Sequence, residues 1–176
     1  EIPLDVEIVR LAPSLFRELD LFGTRSPLLL VARPPLETWD ARTAASGAWV
    51  GVPFQDPANV GAVIRSAAAF GASGVILLPG AASPWHAKAI RASAGAVFNI
   101  ALVRAEATPT SEEIPLLALD AGGEGIRDYE FPERFLLLAG IEGPGLPEGL
   151  EPSATLALPM TDRVESLNAM VATSVA

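Results

Sequence analysis

One stretch of alternating strand and helix signals decides the fold of this 176-residue chain. It covers residues 49–78, which read WVGVPFQDPANVGAVIRSAAAFGASGVILL. Trp49 to Val52 is an apolar run of strand length, and Gly74 to Leu78 is a second one. Between them, Asp56-Pro57 is typical of a helix start, because aspartate accepts hydrogen bonds from the first helical N–H groups and proline already has a helical φ. Apolar residues continue to Phe70, so the stretch predicts strand, helix and strand.

The same alternation continues toward the C-terminus. We predict a helix from Pro84 to Ala92 and a last helix that starts near Val164 and runs to the end. Four further apolar runs have strand length: Val97 to Val103, Ile114 to Leu119, Phe135 to Ala139 and Ala154 to Leu158. Short apolar runs separated by helices are typical of a parallel sheet with both faces covered. The sequence therefore predicts an α/β fold, a mostly parallel sheet with helices on both faces.

The N-terminal part of the chain lacks this regularity. An apolar run from Ser26 stops at Pro34-Pro35, and residues 36–47 are polar and small without a clear period. Such a stretch is typical of a linker. We therefore place a boundary near residue 45, with an N-terminal appendage of residues 1–45 and a main domain of residues 46–176.

The composition excludes several kinds of site. Cysteine is absent and His86 is the only histidine, so the chain has no disulfide, no cysteine nucleophile and no thiolate zinc site. A single histidine also argues against a Ser-His-Asp triad. We expect no metal.

The charge balance bears on partners. The 21 acidic side chains outnumber the 12 lysines and arginines, which gives a net charge of −9. This argues against nonspecific attraction to nucleic acid, since phosphate binding requires cations. A local basic patch is still compatible with this net charge. Such a patch would consist mainly of arginine, because Lys88 is the only lysine. No apolar run approaches the roughly 20 residues that span a bilayer, and the first residues lack the basic start of a secretory signal. We expect a cytoplasmic protein without a membrane contact.

Ligands of open α/β sheets gather at the carboxyl ends of strands, and three segments follow predicted strand ends. The first, Asp56 to Arg65, carries Asn59 and Arg65 on a predicted helix. The second, Leu138 to Leu146, places Glu142 among three glycines, which allow a ligand to approach the backbone closely. Its Gly-x-x-Gly-x-Gly spacing differs from the Gly-x-Gly-x-x-Gly of dinucleotide binders.

The third segment runs from Leu158 to Ala172. A strand ends at a Pro-Met turn, and Ser166 and Asn168 stand in the first turns of the predicted last helix. Taken one at a time, all three segments also have plain structural interpretations: a capped helix with a solvated arginine, a glycine-rich turn, and ordinary helix caps. The pair Trp85-His86 likewise suits either base stacking or an amphipathic helix start.

In order and spacing, the three segments resemble the motifs of the SpoU (TrmH-type) branch of the SPOUT methyltransferases. The resemblance extends from about residue 48 to the end. The first motif, Asn-x-Gly-Ala-x-x-Arg, is met by Asn59, Gly61, Ala62 and Arg65. The second, Gly-x-Glu-Gly-x-Gly after a strand, is met by Gly140, Glu142, Gly143 and Gly145. The third, Leu-Pro-Met, a turn and Ser-Leu-Asn, is met by Leu158, Pro159, Met160, Ser166, Leu167 and Asn168.

The resemblance implies a function, a fold and an assembly. Members transfer a methyl group from S-adenosylmethionine to a ribose 2′-hydroxyl of tRNA or rRNA, and hold the donor in a C-terminal trefoil knot. They are commonly homodimers, here through the last helix. Residues 1–33 resemble the tail of an L30e-like RNA-binding domain. The implied donor-binding residues are Gly140, Gly145, Leu158, Met160 and Leu167.

The implied catalytic residues are Arg65, Asn59, Glu142, Ser166 and Asn168. We expect Arg65 to stabilise the developing 2′-alkoxide as a cation, because a guanidinium gives up its proton reluctantly, and the other four to orient Arg65, the ribose and the loops. A donor-binding RNA-binding or scaffold protein that has lost turnover is the alternative, and a nucleotide-binding oxidoreductase is a more distant one.

Overall fold

Seven parallel strands form one sheet in the computed structural model, which describes residues 7–139, 150–161, 163–164 and 166–176. The strand order is β1-β4-β3-β2-β6-β5-β7. The strands are β1 (Glu37–Thr38), β2 (Gly47–Val52), β3 (Gly74–Leu77), β4 (Ala101–Arg104), β5 (Leu116–Gly125), β6 (Arg134–Ala139) and β7 (Ala154–Ala157). The helices are α1 (Pro13–Leu19), α2 (Pro57–Ala69), α3 (Ala87–Ala92) and α4 (Ala169–Val175), with a 3₁₀ turn at Ala96–Phe98. The predicted α/β class and parallel sheet are confirmed.

The chain divides into two units, residues 1–34 and residues 35–176. In the first unit, α1 buries none of its residues. The second unit contains the whole sheet. It begins before the predicted boundary near residue 45, because the segment interpreted as a linker belongs to the sheet unit. This segment supplies β1, which pairs with β4, and Trp39, whose ring contacts the ring of Trp49 edge-on at a centroid distance of 5.0 Å.

The central unit β2-α2-β3 forms as its sequence predicts. The side chain of Asp56 accepts a hydrogen bond from the N–H of Ala58 at 3.0 Å, and Pro57 begins the helix. Val60, Ile64 and Ala67 recur at helical spacing and are buried against the sheet. The side chains of Val50 and Val52 meet this helix face from β2.

The helices α2, α3 and α4 pack on the same face of the sheet. Among the described residues, the opposite face is covered by Trp39, Ala44, Ile114 and Leu150 rather than by a helix. The reason is that the connections from β4 to β5 and from β5 to β6 contain no helix. No helix in the described part of the chain is long and apolar enough to cross a membrane.

Four predicted boundaries differ from the structure by three residues or more. The run Val97 to Val103 is a 3₁₀ turn followed by β4, since Gly95, with φ +84°, starts a turn before it. The third helix starts at Ala87 instead of Pro84, because the imidazole Nδ1 of His86 accepts from the N–H of Lys88 and caps it. Two further differences, the start of α4 and the end of β5, concern the site itself. The predicted knot depends on residues 140–149, which lie outside the described residues, and stays a prediction.

Candidate functional site

The carboxyl ends of β2, β6 and β7 lie at one edge of the sheet. β6 pairs with both β2 and β5, and β7 pairs with β5, all in parallel. Parallel pairing places the strand ends at Val52, Ala139 and Ala157 on the same side of the molecule. We call this side the strand-end edge. The three segments singled out in the sequence therefore start from a common edge, as ligand sites of such sheets require.

The first segment forms the N-terminal part of α2. Asn59 lies half-buried in the first turn and Arg65 is exposed further along the helix. Six residues correspond to about one and two-thirds turns, so the two side chains leave the helix in different directions. Arg65 instead shares a face with Gly61, four residues before it. Arg65 thus lies on the helix whose N-terminus stands at the strand-end edge.

Gly61 explains how α2 and α3 approach each other. A Cβ at this position would overlap the carbonyl oxygen of Ala89 and lie 2.9 Å from the Cα and the carbonyl carbon of that residue. Only glycine leaves room for the α3 backbone here. The glycine of the first motif therefore has a structural role, because it lets α3 pack closely on the helix that carries Arg65.

The second segment, with Gly140, Glu142 and Gly145, lies outside the described residues. The third follows β7, with Leu158 half-buried and Met160, Ser166 and Leu167 exposed. The predicted helix start near Val164 is wrong: α4 begins at Ala169. The side-chain oxygen of Asn168 accepts hydrogen bonds from the N–H groups of Met170 and Val171 and caps the helix.

Asn168 is therefore a helix cap, which is the plain structural interpretation that the sequence also allowed. Ser166 lies before the helix, in the connection that follows β7. The roles of Arg65, Asn59, Ser166 and Asn168 in the reaction stay predictions. No hydrogen bond between described residues joins the side chains of Arg65, Asn59 and Ser166 to one another.

A bulge in β5 adds a feature that sequence reasoning missed. The strand was predicted to end at Leu119, but it continues to Gly125, with Leu119 and Glu124 both opposite Leu156 of β7. The intervening residues bulge outward at the strand-end edge. The N–H of Gly122 donates to Oδ1 of Asp120 at 2.8 Å and tightens the turn.

Gly123 permits the return of the bulged chain to β7. A Cβ there would lie 2.5 Å from the carbonyl oxygen of Thr155 and 2.7 Å from the backbone nitrogen of Leu156. The pair Gly122-Gly123 was the available sequence signal, because adjacent glycines in a strand pattern indicate a bulge or a close backbone approach.

A cavity of about 310 Å³ lies elsewhere. Its lining includes Ala48 and Phe135 from the first halves of β2 and β6, Phe70 after α2, and Val175 of α4. These positions lie away from the strand-end edge, so this cavity is not the predicted donor site. Within the described residues no group of three histidine, aspartate or glutamate side chains is arranged to hold a metal ion.

Comparison with known proteins connects this geometry to a family. A model described as the SpoU rRNA Methylase family matches residues 48–176. Over 169 residues, the chain is 50% identical to "Ribosomal RNA small subunit methyltransferase G 2" of Syntrophobacter fumaroxidans, covering 95% of this chain and 34% of that protein. It is 31% identical over 185 residues to "23S rRNA (uridine(2479)-2'-O)-methyltransferase" of Streptomyces viridochromogenes, covering 93% of this chain and 63% of that protein. The chain thus spans less than two thirds of either relative.

A solved structure agrees. The AdoMet-bound rRNA methyltransferase from Sinorhizobium meliloti superimposes with a TM-score of 0.69 and 30% identity, over 79% of this chain and 58% of that one. The family match begins within β2 and includes all three segments of the strand-end edge. The sheet, the three motif segments and these similarities together place the chain in the SpoU rRNA methylase family.

Proposed function

We propose that the protein transfers a methyl group from S-adenosylmethionine to a ribose 2′-hydroxyl of tRNA or rRNA. One observation carries this proposal: three motif segments, far apart in the sequence, start from a single edge of the parallel sheet. The family membership supports it, as does the 2′-O-methyltransferase activity named for the Streptomyces relative.

The donor side of the site is assigned to two connections that follow strands. S-adenosylmethionine carries its methyl group on a sulfonium, which is electrophilic without a metal. We assign donor binding to the connection after β7, with Leu158, Met160 and Leu167, together with Gly140 and Gly145 of the segment after β6. The exposure of Met160 and Leu167 supports this assignment, because apolar side chains at a strand end leave surface for a ligand to cover.

The acceptor side requires a cation. A ribose hydroxyl ionises far above neutral pH, so the site has to stabilise the developing alkoxide and align it with the methyl group. Arg65 is exposed, makes no ion pair with a described carboxylate and lies on the helix that begins at the strand-end edge. We assign charge stabilisation to Arg65 and orientation to Asn59, Glu142, Ser166 and Asn168.

A homodimer through α4 belongs to the same proposal. Val171 and Val175 of α4 and Val164 before it are exposed, Val175 to 65%. So much apolar surface on one short segment suits a symmetric contact with a second copy. Light scattering at micromolar concentration should give twice the mass of one chain, and a monomer would contradict this part of the proposal.

Two measurements on the purified protein separate the competing functions. Calorimetry should show binding of S-adenosylmethionine and none of NAD; the reverse result would indicate an oxidoreductase. Tritium transfer from labelled donor to RNA from cells that lack the protein should then be observed. Donor binding without transfer to that RNA would instead favour the non-catalytic RNA-binding or scaffold protein.

A further inference from the structure

Residues 57–105 carry no aspartate or glutamate, although the whole chain has 21 acidic side chains. They do carry four cations, Arg65, Lys88, Arg91 and Arg104, which gives this segment a formal charge of +4 in a chain of −9. The remainder of the molecule is correspondingly more acidic. A polyanion is therefore attracted to this segment and repelled elsewhere.

The four cations lie on neighbouring elements. All four side chains are exposed, on α2, α3 and the last residue of β4. The close approach at Gly61 and Ala89 holds α3, which carries Lys88 and Arg91, against α2. Three of the four charges, those of Arg65, Lys88 and Arg91, thus stand on two helices that pack against each other.

An aromatic pair stands at the same surface. The rings of Trp85 and Phe98 are stacked, with centroids 5.8 Å apart and an interplanar angle of 27°. Trp85 packs against the hydrophobic core, while Phe98 is 46% exposed. Phe98 is therefore an exposed ring with a rigid support, and a further ring can stack on it at little cost in side-chain entropy.

This surface adjoins the strand-end edge. The N–H of Leu78 donates to the carbonyl of Val52 at 3.0 Å, and the N–H of Ala82 donates to the carbonyl of Phe54 at 2.9 Å. These bonds tie the connection that leads to Trp85 to the connection that leads into α2. The aromatic pair therefore lies beside the helix that carries Asn59 and Arg65.

We propose that Trp85, Phe98, Lys88 and Arg91, here called the stacking platform, bind an unpaired nucleotide of the RNA substrate near the methylated one. The base stacks on Phe98 and the neighbouring phosphates contact Lys88 and Arg91. Aromatic rings beside cations suit single-stranded nucleic acid, because each base offers a π face and each phosphate a charge. An acidic peptide would use the cations and leave the ring without a role. The inference rests on the proposed function for the identity of its ligand.

The test compares two variants with matched controls. Phe98→Leu removes the ring and keeps apolar packing, and Phe131→Leu makes the same change at an aromatic residue of similar exposure on a different surface. Lys88→Gln removes one charge from the platform, and Arg127→Gln removes one outside the acid-free segment. The probe is a fluorescein-labelled single-stranded RNA, compared with its duplex and with polyglutamate, and binding is followed by fluorescence anisotropy across salt concentrations.

Phe98→Leu should weaken binding of the single strand roughly 5- to 150-fold, the range for loss of one stacked base. Lys88→Gln should reduce the salt slope of log K by about 0.7, as for one phosphate contact. Both should retain parental donor affinity in calorimetry, which also checks their folding, and both controls should bind RNA as the parent does. Unchanged RNA affinity in Phe98→Leu, equal loss in the controls, or a preference for duplex or polyglutamate would overturn the platform.

Failure of the platform is distinguishable from failure of the proposed function. If the parent protein transfers methyl groups to RNA, and Phe98→Leu has the same activity and the same RNA affinity, only the stacking platform is refuted. A parent that binds single-stranded RNA through Phe98 but transfers no methyl group refutes only the proposed activity.

Discussion

Replacing Gly61 by alanine tests how α2 and α3 are held together. The added Cβ would overlap the carbonyl oxygen of Ala89 and lie 2.9 Å from its Cα. The optimal van der Waals separation of two carbon atoms is about 3.5–4.0 Å, so α3 has to move by on the order of 1 Å. The obstacle is backbone, which cannot rotate away as a side chain can.

The expected cost is the difference between two effects. Overpacking a buried site costs about 1–3 kcal/mol, and a backbone obstacle belongs at the upper end of that range. Alanine in place of glycine inside a helix contributes about 1 kcal/mol of stability in the other direction. We therefore expect Gly61→Ala to lower the free energy of unfolding by about 2 kcal/mol. Displaced α3 should also weaken RNA binding more than donor binding, because Lys88 and Arg91 move with it.

Urea denaturation followed by circular dichroism measures the change, with Gly122→Ala as the control. The control glycine is exposed, and an added Cβ meets only Oδ1 of Asp120, at 3.4 Å. We expect the control to stay within about 0.5 kcal/mol of the parent, as surface substitutions do. A Gly61→Ala protein as stable as the parent, or more stable by the helix-propensity gain, would refute the close contact between the two helices.

Three further substitutions test other parts of the molecule. Arg65→Ala should keep donor affinity and lower the single-turnover methyl-transfer rate about a hundred- to a thousandfold, because a lost transition-state contact usually costs about 3–4 kcal/mol. Partial rescue of the rate by Arg65→Lys would indicate a charge effect. Near-normal transfer by the alanine variant would rule out the assignment. Asn168→Ala removes the cap of α4 and should cost about 1 kcal/mol in urea denaturation, most of which Asn168→Ser restores; no loss would mean that the cap contributes nothing. Side-chain and backbone hydrogen bonds from Arg42 lower the pKa of Asp40 to about 2. Arg42→Ala removes the side-chain bonds and the charge but keeps the backbone N–H, so NMR titration should show this pKa rising part of the way toward 3.8. Because the pKa of Asp40 is lower in the folded protein, the stability that its ionised carboxylate contributes is present above the pKa of the unfolded chain and is lost as the pH falls toward 2. An unchanged pKa of Asp40 in the variant would contradict the interaction between Asp40 and the Arg42 side chain.

The core of the fold was predictable because its signals are local. The run Trp49 to Val52, the Asp56-Pro57 start and the run from Gly74 each identify an element without reference to the rest of the chain. Parallel pairing then determines which strand ends share an edge. The strand ends from which the three motif segments start were predictable for the same reason, while the site roles of their residues stay predictions.

The remaining differences depend on contacts between distant residues. The bulge of β5 forms where Gly123 meets Thr155. The pair Gly122-Gly123 indicates a bulge or a close approach, but the backbone that the chain approaches lies more than 30 residues further along the sequence. The start of α4 is set by Asn168, which accepts hydrogen bonds from the first N–H groups of the helix. The apolar residues from Val164 onward also suit a helix, so the sequence pattern alone predicted an earlier start. The stack of Trp85 on Phe98 joins residues on either side of α3, so the sequence suggested base stacking without indicating the ring that would provide it.

The chemical identity of the methylated product distinguishes transfer to a ribose hydroxyl from transfer to a base. The full-length protein is incubated with S-adenosylmethionine and RNA from cells that lack it, and the RNA is digested to nucleosides for mass spectrometry. We expect a single new 2′-O-methylated nucleoside, formed far more slowly with Arg65→Ala. A methyl group on a base, with the ribose unmodified, would contradict it.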